Sequence, residues 1–103
     1  MRVELSLEKD STLRVIMIGE IDHHAIGNER KNIDDFIKKN LPKLVVLDFS
    51  RVKFMDTSGI GLIIGRYKLA CELKIKLAIS NVPEGLKKIM RFSGIYSLNI
   101  LQM

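Results

Sequence analysis

Leu44-Val45-Val46-Leu47-Asp48-Phe49 is the stretch that most limits what this chain can become. A short apolar run rich in β-branched residues reads as a strand buried on both faces. Such a strand needs pairing partners on either side and helices over the sheet. The flanking sequence supplies both. Residues 2–8 alternate, with Val3, Leu5 and Leu7 opposed to Arg2, Glu4, Ser6 and Glu8, which predicts a half-buried strand. A polar turn, Lys9-Asp10-Ser11, leads to a second strand over Leu13 to Ile18, with Leu13, Val15 and Met17 on one face. The short turn makes the pair an antiparallel hairpin.

Residues 25–39 carry a helical stripe of Ile26, Ile33, Phe36 and Ile37, and Pro42 forbids its continuation. Ser50 to Met55 reads as a connector anchored to the core by Val52 and Phe54. A second helix follows, with Ile60, Ile63, Ile64, Tyr67, Ala70 and Cys71 as its apolar stripe. Gly61 and Gly65 lie on one face of it. Each weakens a helix by roughly 1 kcal/mol relative to Ala, so close approach of the internal sheet or of a partner is expected there. Lys74 to Ile79 alternates as a strand. Pro83 opens a third helix with Leu86, Ile89 and Met90 inward, and Ser93-Gly94 closes it. Ile95 to Leu101 is read as a last strand with Leu98 and Ile100 inward.

The order is β-β-α-β-α-β-α-β. Strands joined through helices pair in parallel by right-handed crossovers. The predicted fold is therefore α/β: a single mixed sheet with an N-terminal antiparallel hairpin and helices packed against it. Its 103 residues suffice for one domain, residues 1–103, and one core.

Asp56-Thr57-Ser58-Gly59 sits where the central strand gives way to the second helix. Asp and Ser favour helix starts because their oxygens accept the first free backbone N–H groups. One reading is an ordinary cap; the other is a hydroxyl displayed where the helix dipole favours a phosphate. The site falls at the carboxyl end of the central strand, the edge where open α/β sheets bind ligands and partners. Asp22, in Gly19-Glu20-Ile21-Asp22-His23-His24 at the end of the second strand, reaches the same rim or caps the next helix.

Other classes are disfavoured. Adjacent His23 and His24 point to opposite sides of an extended chain, and no further His or Cys completes a ligand set, so no metal is expected. Neither a Walker loop nor a Gly-x-Ser-x-Gly elbow is present, and neither catalysis nor a cofactor is expected. The formal net charge of +5 raises nucleic acid. The basic residues are dispersed, Arg66 among them, without interleaved aromatics, which reads as a solvated surface. There is no membrane-spanning run and no signal peptide, so the cytoplasm is the expected location. Cys71 is read as a small core residue.

Phe54-Met55-Asp56-Thr57-Ser58-Gly59-Ile60-Gly61, followed by Gly65-Arg66-Tyr67-Lys68, resembles the signature of the STAS domain family. More narrowly, together with Gly19 to His24, it is similar to the anti-sigma factor antagonists of spore-forming bacteria, the sporulation anti-sigma F factor antagonists in particular. The resemblance implies binding to an anti-sigma factor that is also a serine kinase, freeing a sigma factor for transcription. It implies that Ser58 is phosphorylated, with Thr57 as runner-up acceptor. It implies that a PP2C-type phosphatase reverses the modification. Asp22, Asp56, Thr57, Ser58 and Gly59 would then form the partner-binding set, and the free chain would be a monomer. Thr57 stands where serine is more frequent. Family members usually continue into another helix beyond the position of Met103, so the C-terminal packing is expected to differ. The alternative is a stand-alone STAS module binding a nucleotide or other anion near Ser58.

Overall fold

The computed structural model describes residues 1–24 and 26–103, so position 25, the first of the expected helix, lies outside the described residues. The strands are β1 (Arg2–Glu8), β2 (Thr12–Ile21), β3 (Leu44–Met55), β4 (Lys76–Ser80) and β5 (Leu101–Gln102). The α-helices are α1 (Gly27–Asn40), α2 (Thr57–Leu73) and α3 (Glu84–Phe92). The strands form one sheet in the order β1-β2-β3-β4-β5. β1 runs antiparallel to β2, and every other pair is parallel. This is the predicted mixed sheet.

The register explains the core. Leu5, Val15, Leu47 and Ile79 lie side by side across four strands. Val45, Leu47 and Phe49 of β3 share a core with Leu13, Val15 and Met17 of β2 and with Ile33, Ile37, Leu62, Ile63, Leu86 and Met90 of the helices. Each fully buried side chain of this size contributes roughly 1.5–3 kcal/mol. The helices therefore cover the face to which the odd-numbered residues of β2, and of β3 as far as Phe49, point.

The opposite face of β3 carries Val46 and Asp48, both buried. Asp48 survives there because its carboxylate is fully engaged. Oδ1 accepts the Ser50 N–H at 2.9 Å and Asn81 Nδ2 at 3.3 Å, and Oδ2 meets Arg14 Nη1 at 3.4 Å. Burial alone would raise its pKa. The Ser50 and Asn81 hydrogen bonds and the Arg14 charge outweigh burial and hold it below the usual carboxylate range. A depressed folded-state pKa contributes stability above the unfolded value of about 4, lost as pH falls through the folded value. Asp48→Asn is accordingly expected to lower stability at pH 7 by about 1–2 kcal/mol. The gap to wild type should close on acidification below about pH 4, as urea midpoints measured across that range will show. A constant gap would exclude an ionised Asp48 as the cause.

Five expectations are corrected. Ser50 to Met55 is not a connector but the second half of β3. Register shifts between Ile16 and Ile18 and between Gly19 and Glu20 of β2 accommodate one extra residue of β3 between Asp48 and Arg51 and another between Val52 and Phe54. Val52 and Met55 thus point inward, while Phe54, expected as an anchor, is 51% exposed. The last strand is only Leu101–Gln102. Gly94, at φ 80°, turns the chain into a 3-10 turn over Ile95–Ser97 instead, and Ile95 and Ile100 are buried from that loop. Cys71 is exposed rather than in the core. Arg66, counted among the solvated basic residues, is only 6% exposed.

The last two corrections have one cause. The buried side of α2 is Gly59, Ile60, Leu62, Ile63, Arg66 and Ala70, which turns Tyr67 and Cys71 away from the centre. Apolar residues surround this helix, so their spacing leaves its rotation undetermined. Gly61 and Gly65 are not held by internal close packing, since a Cβ at either would meet no atom within 4 Å.

Candidate functional site

Asp56 starts α2 as its N-cap. Its backbone is extended (φ −97°, ψ −168°), and its carboxylate accepts the Ser58 N–H at 2.8 Å. One of the donors that a helix start leaves free is thereby satisfied. The Asp56 N–H donates to the Ile21 carbonyl at 3.1 Å, which ties the end of β3 to the end of β2. Across this tie comes the loop of Asp22. Asp22 Oδ1 accepts the His24 N–H at 3.0 Å, and the His23 N–H donates to the Asp56 carboxylate.

The capping reading of the sequence is thus met at Asp56, and the two loops meet on one rim. Thr57 is exposed on it, Ser58 and Asp22 are half-buried, and Gly59 is buried. Gly59 is required sterically: a Cβ there would overlap the Met55 side chain, itself buried in the core. The Ser58 N–H bond is the main cause that holds the Asp56 carboxyl below its usual range, assisted by the Ser58 hydroxyl, the His23 N–H and the His23 charge. Asp56 is therefore anionic at neutral pH. The His23 and His24 rings stand edge to face, 5.6 Å apart at 72°. Among the described residues, no group of three or more His, Cys, Asp or Glu could hold a metal ion.

Arg66 and Asp34 escaped the sequence reading of the site. Arg66 Nε lies 2.7 Å from Asp34 Oδ1, and Nη2 donates to Oδ2 at 3.2 Å. This ion pair, with its one hydrogen bond, links α1 to α2. One signal was available: Arg66 follows Leu62 by four residues and Ile63 by three, so it shares their face. Nothing in the sequence pointed to Asp34 as its partner.

The geometry defines an α/β domain of one sheet, whose rim presents neighbouring hydroxyls at an acid-capped helix start. The chain belongs to the STAS domain family, whose model matches residues 6–102. It is similar to the anti-sigma F factor antagonist of Paenibacillus polymyxa, at 28% identity over 95% of this chain and 85% of that one. It also resembles two solved structures. The anti-sigma factor antagonist SpoIIAA in its unphosphorylated form matches with a TM-score of 0.76 at 25% identity, covering 99% of this chain and 87% of the other. The Bacillus cell fate determinant SpoIIAA in its phosphorylated form matches with a TM-score of 0.76 at 26% identity, covering 99% and 91%. No helix among the described residues is long and apolar enough to cross a membrane.

Proposed function

We propose that this chain is an anti-sigma factor antagonist. It binds an anti-sigma factor through the rim of Asp22, Asp56, Thr57, Ser58 and Gly59, and so frees a sigma factor for transcription. The anti-sigma factor is also a serine kinase, which switches the chain off by phosphorylating Ser58, and a PP2C-type phosphatase restores it. The observation that carries this reading is the hydroxyl of Ser58, partly accessible at a capped helix start beside the Asp22 loop, in a chain similar to named antagonists. The exposed side of α2 supports it. Thr57, Gly61 and Lys68 recur there at helical spacing with the half-buried Gly65 between them, so another surface can come close. SpoIIAA has been solved both phosphorylated and unphosphorylated, and both forms match this fold with a TM-score of 0.76. That agrees with a local switch that leaves the fold intact.

The alternative, a module that binds a free anion at the same helix start, is less well supported. Asp56 already takes the Ser58 N–H and brings a negative charge to the place such an anion would occupy. Calorimetric titration with nucleotides tests that alternative, which predicts binding that is lost in Ser58→Glu.

The function itself is tested with the cognate anti-sigma factor bound to its sigma factor. Adding this chain is expected to release sigma, as read by recovery of sigma-dependent transcription. Asp22→Ala is expected to need about tenfold more protein for the same release. Failure of the wild-type chain to release sigma would remove the assignment.

A further inference from the structure

We infer that the groove between the end of β3 and α3 receives an apolar side chain with an acidic neighbour from the anti-sigma factor, an inference that rests on the proposed function. Two rings make this face unusual. Phe54 is 51% exposed and Phe92, the last residue of α3, is 80% exposed. They border an open groove of about 400 Å³ shared with Met55, Leu86, Lys88 and Ile89. Single exposed apolar residues are ordinary; two phenylalanines on one concave apolar patch mark an interaction surface.

The chemistry of the rim specifies the occupant. The Lys88 ammonium lines the groove and sits 5.7 Å from the centre of the Phe92 ring. It forms no ion pair among the described residues. The acid on the same helix, Glu84, is taken by Lys87 at 2.8 Å. An apolar floor with an unpaired cation at its edge complements an apolar side chain flanked by a carboxylate.

Continuity and size join the groove to the rim. Met55 lines the groove, and the next residue is Asp56, the cap of α2. A specific protein interface needs roughly 800 Å² from each partner, more than one helix start can supply. A partner that covers Ser58 must spread onto neighbouring surface, and aromatic side chains are where binding energy concentrates.

The test is calorimetric titration of the cognate anti-sigma factor with wild type, Phe92→Ser, Lys88→Glu and a control, Lys9→Ala, in the exposed turn after β1 at the opposite end of the sheet. Phe92→Ser and Lys88→Glu are each expected to raise Kd by about tenfold or more. Both side chains are exposed, so melting temperatures should stay at the wild-type value, and the control should bind as wild type does. At saturating kinase the same variants should still be phosphorylated on Ser58. Affinities within about twofold of wild type for both variants would overturn the docking site, while wild-type binding and Ser58 labelling left the function standing. Self-association of the wild type that Phe92→Ser abolishes would also overturn it, assigning the groove to a second copy of this chain. A wild type that neither binds the anti-sigma factor nor accepts phosphate would remove the function and the docking site together.

Discussion

Incubated with its cognate anti-sigma kinase and ATP, the wild-type chain is expected to take up phosphate, and Ser58→Ala to take up none. Thr57→Ala should be labelled as wild type is, although Thr57 is the more exposed of the two hydroxyls. The purified phosphorylated chain should then bind the kinase at least about tenfold more weakly. Phosphate adds about −1.5 to −2 charge at neutral pH. One like-charge pair at about 4 Å costs roughly 4 kcal/mol at a near-surface dielectric. A third of that already gives about tenfold in affinity. Within the domain two effects oppose each other. The helix start favours the phosphate by about 0.3–1 kcal/mol. The anionic Asp56 cap beside it repels the phosphate, through water that screens the pair. The melting temperature should therefore shift by only a few degrees, which thermal denaturation of the two forms will read. Undiminished label in Ser58→Ala would sink the acceptor assignment. An unchanged affinity after stoichiometric modification would sink the electrostatic switch.

Asp34→Ala is expected to be the most damaging single change away from the rim. It removes both carboxylate oxygens from Arg66, whose side chain is 7% exposed. Burial presses this guanidinium toward its neutral form, and the Asp34 charge opposes that pressure. Stripping a buried charge of its partner costs about 3–5 kcal/mol in general. Asp34 itself is 26% exposed, so water relieves part of the loss. A fall of about 2–3 kcal/mol is expected, or about 10 °C or more in melting temperature for a domain of this size. Arg66→Met should be far milder, because an apolar side chain of similar volume replaces the charge rather than stranding it. The double variant should resemble Arg66→Met alone. Equal losses for Asp34→Ala and Arg66→Met would show that the pair acts by packing and not by charge.

The sequence determined the parts of this protein that depend on local pattern. Alternation in residues 2–8 and the β-branched run from Leu44 fixed the hairpin and the central strand, because a strand has only two faces and burial must choose between them. Asp56 was legible as a cap because a carboxylate just before an apolar helix has one strong local use. Helices joining parallel strands then carried Ser58 to the sheet's carboxyl edge. The tertiary structure decided whatever depended on rotation or on distant partners. The all-round apolar surface of α2 let its spacing fit several rotations. Only packing on β3 and β4 chose the one that buries Arg66 and leaves Cys71 outside. Two irregularities in β3, one between Asp48 and Arg51 and one between Val52 and Phe54, bury Val52 and Met55 and leave Phe54 outside. Asp34 finds Arg66 across 32 residues of chain, and Asp48 finds Asn81 across 33. Contacts at that separation leave no periodic trace in the sequence, because it is the fold, and no local spacing, that brings their elements together.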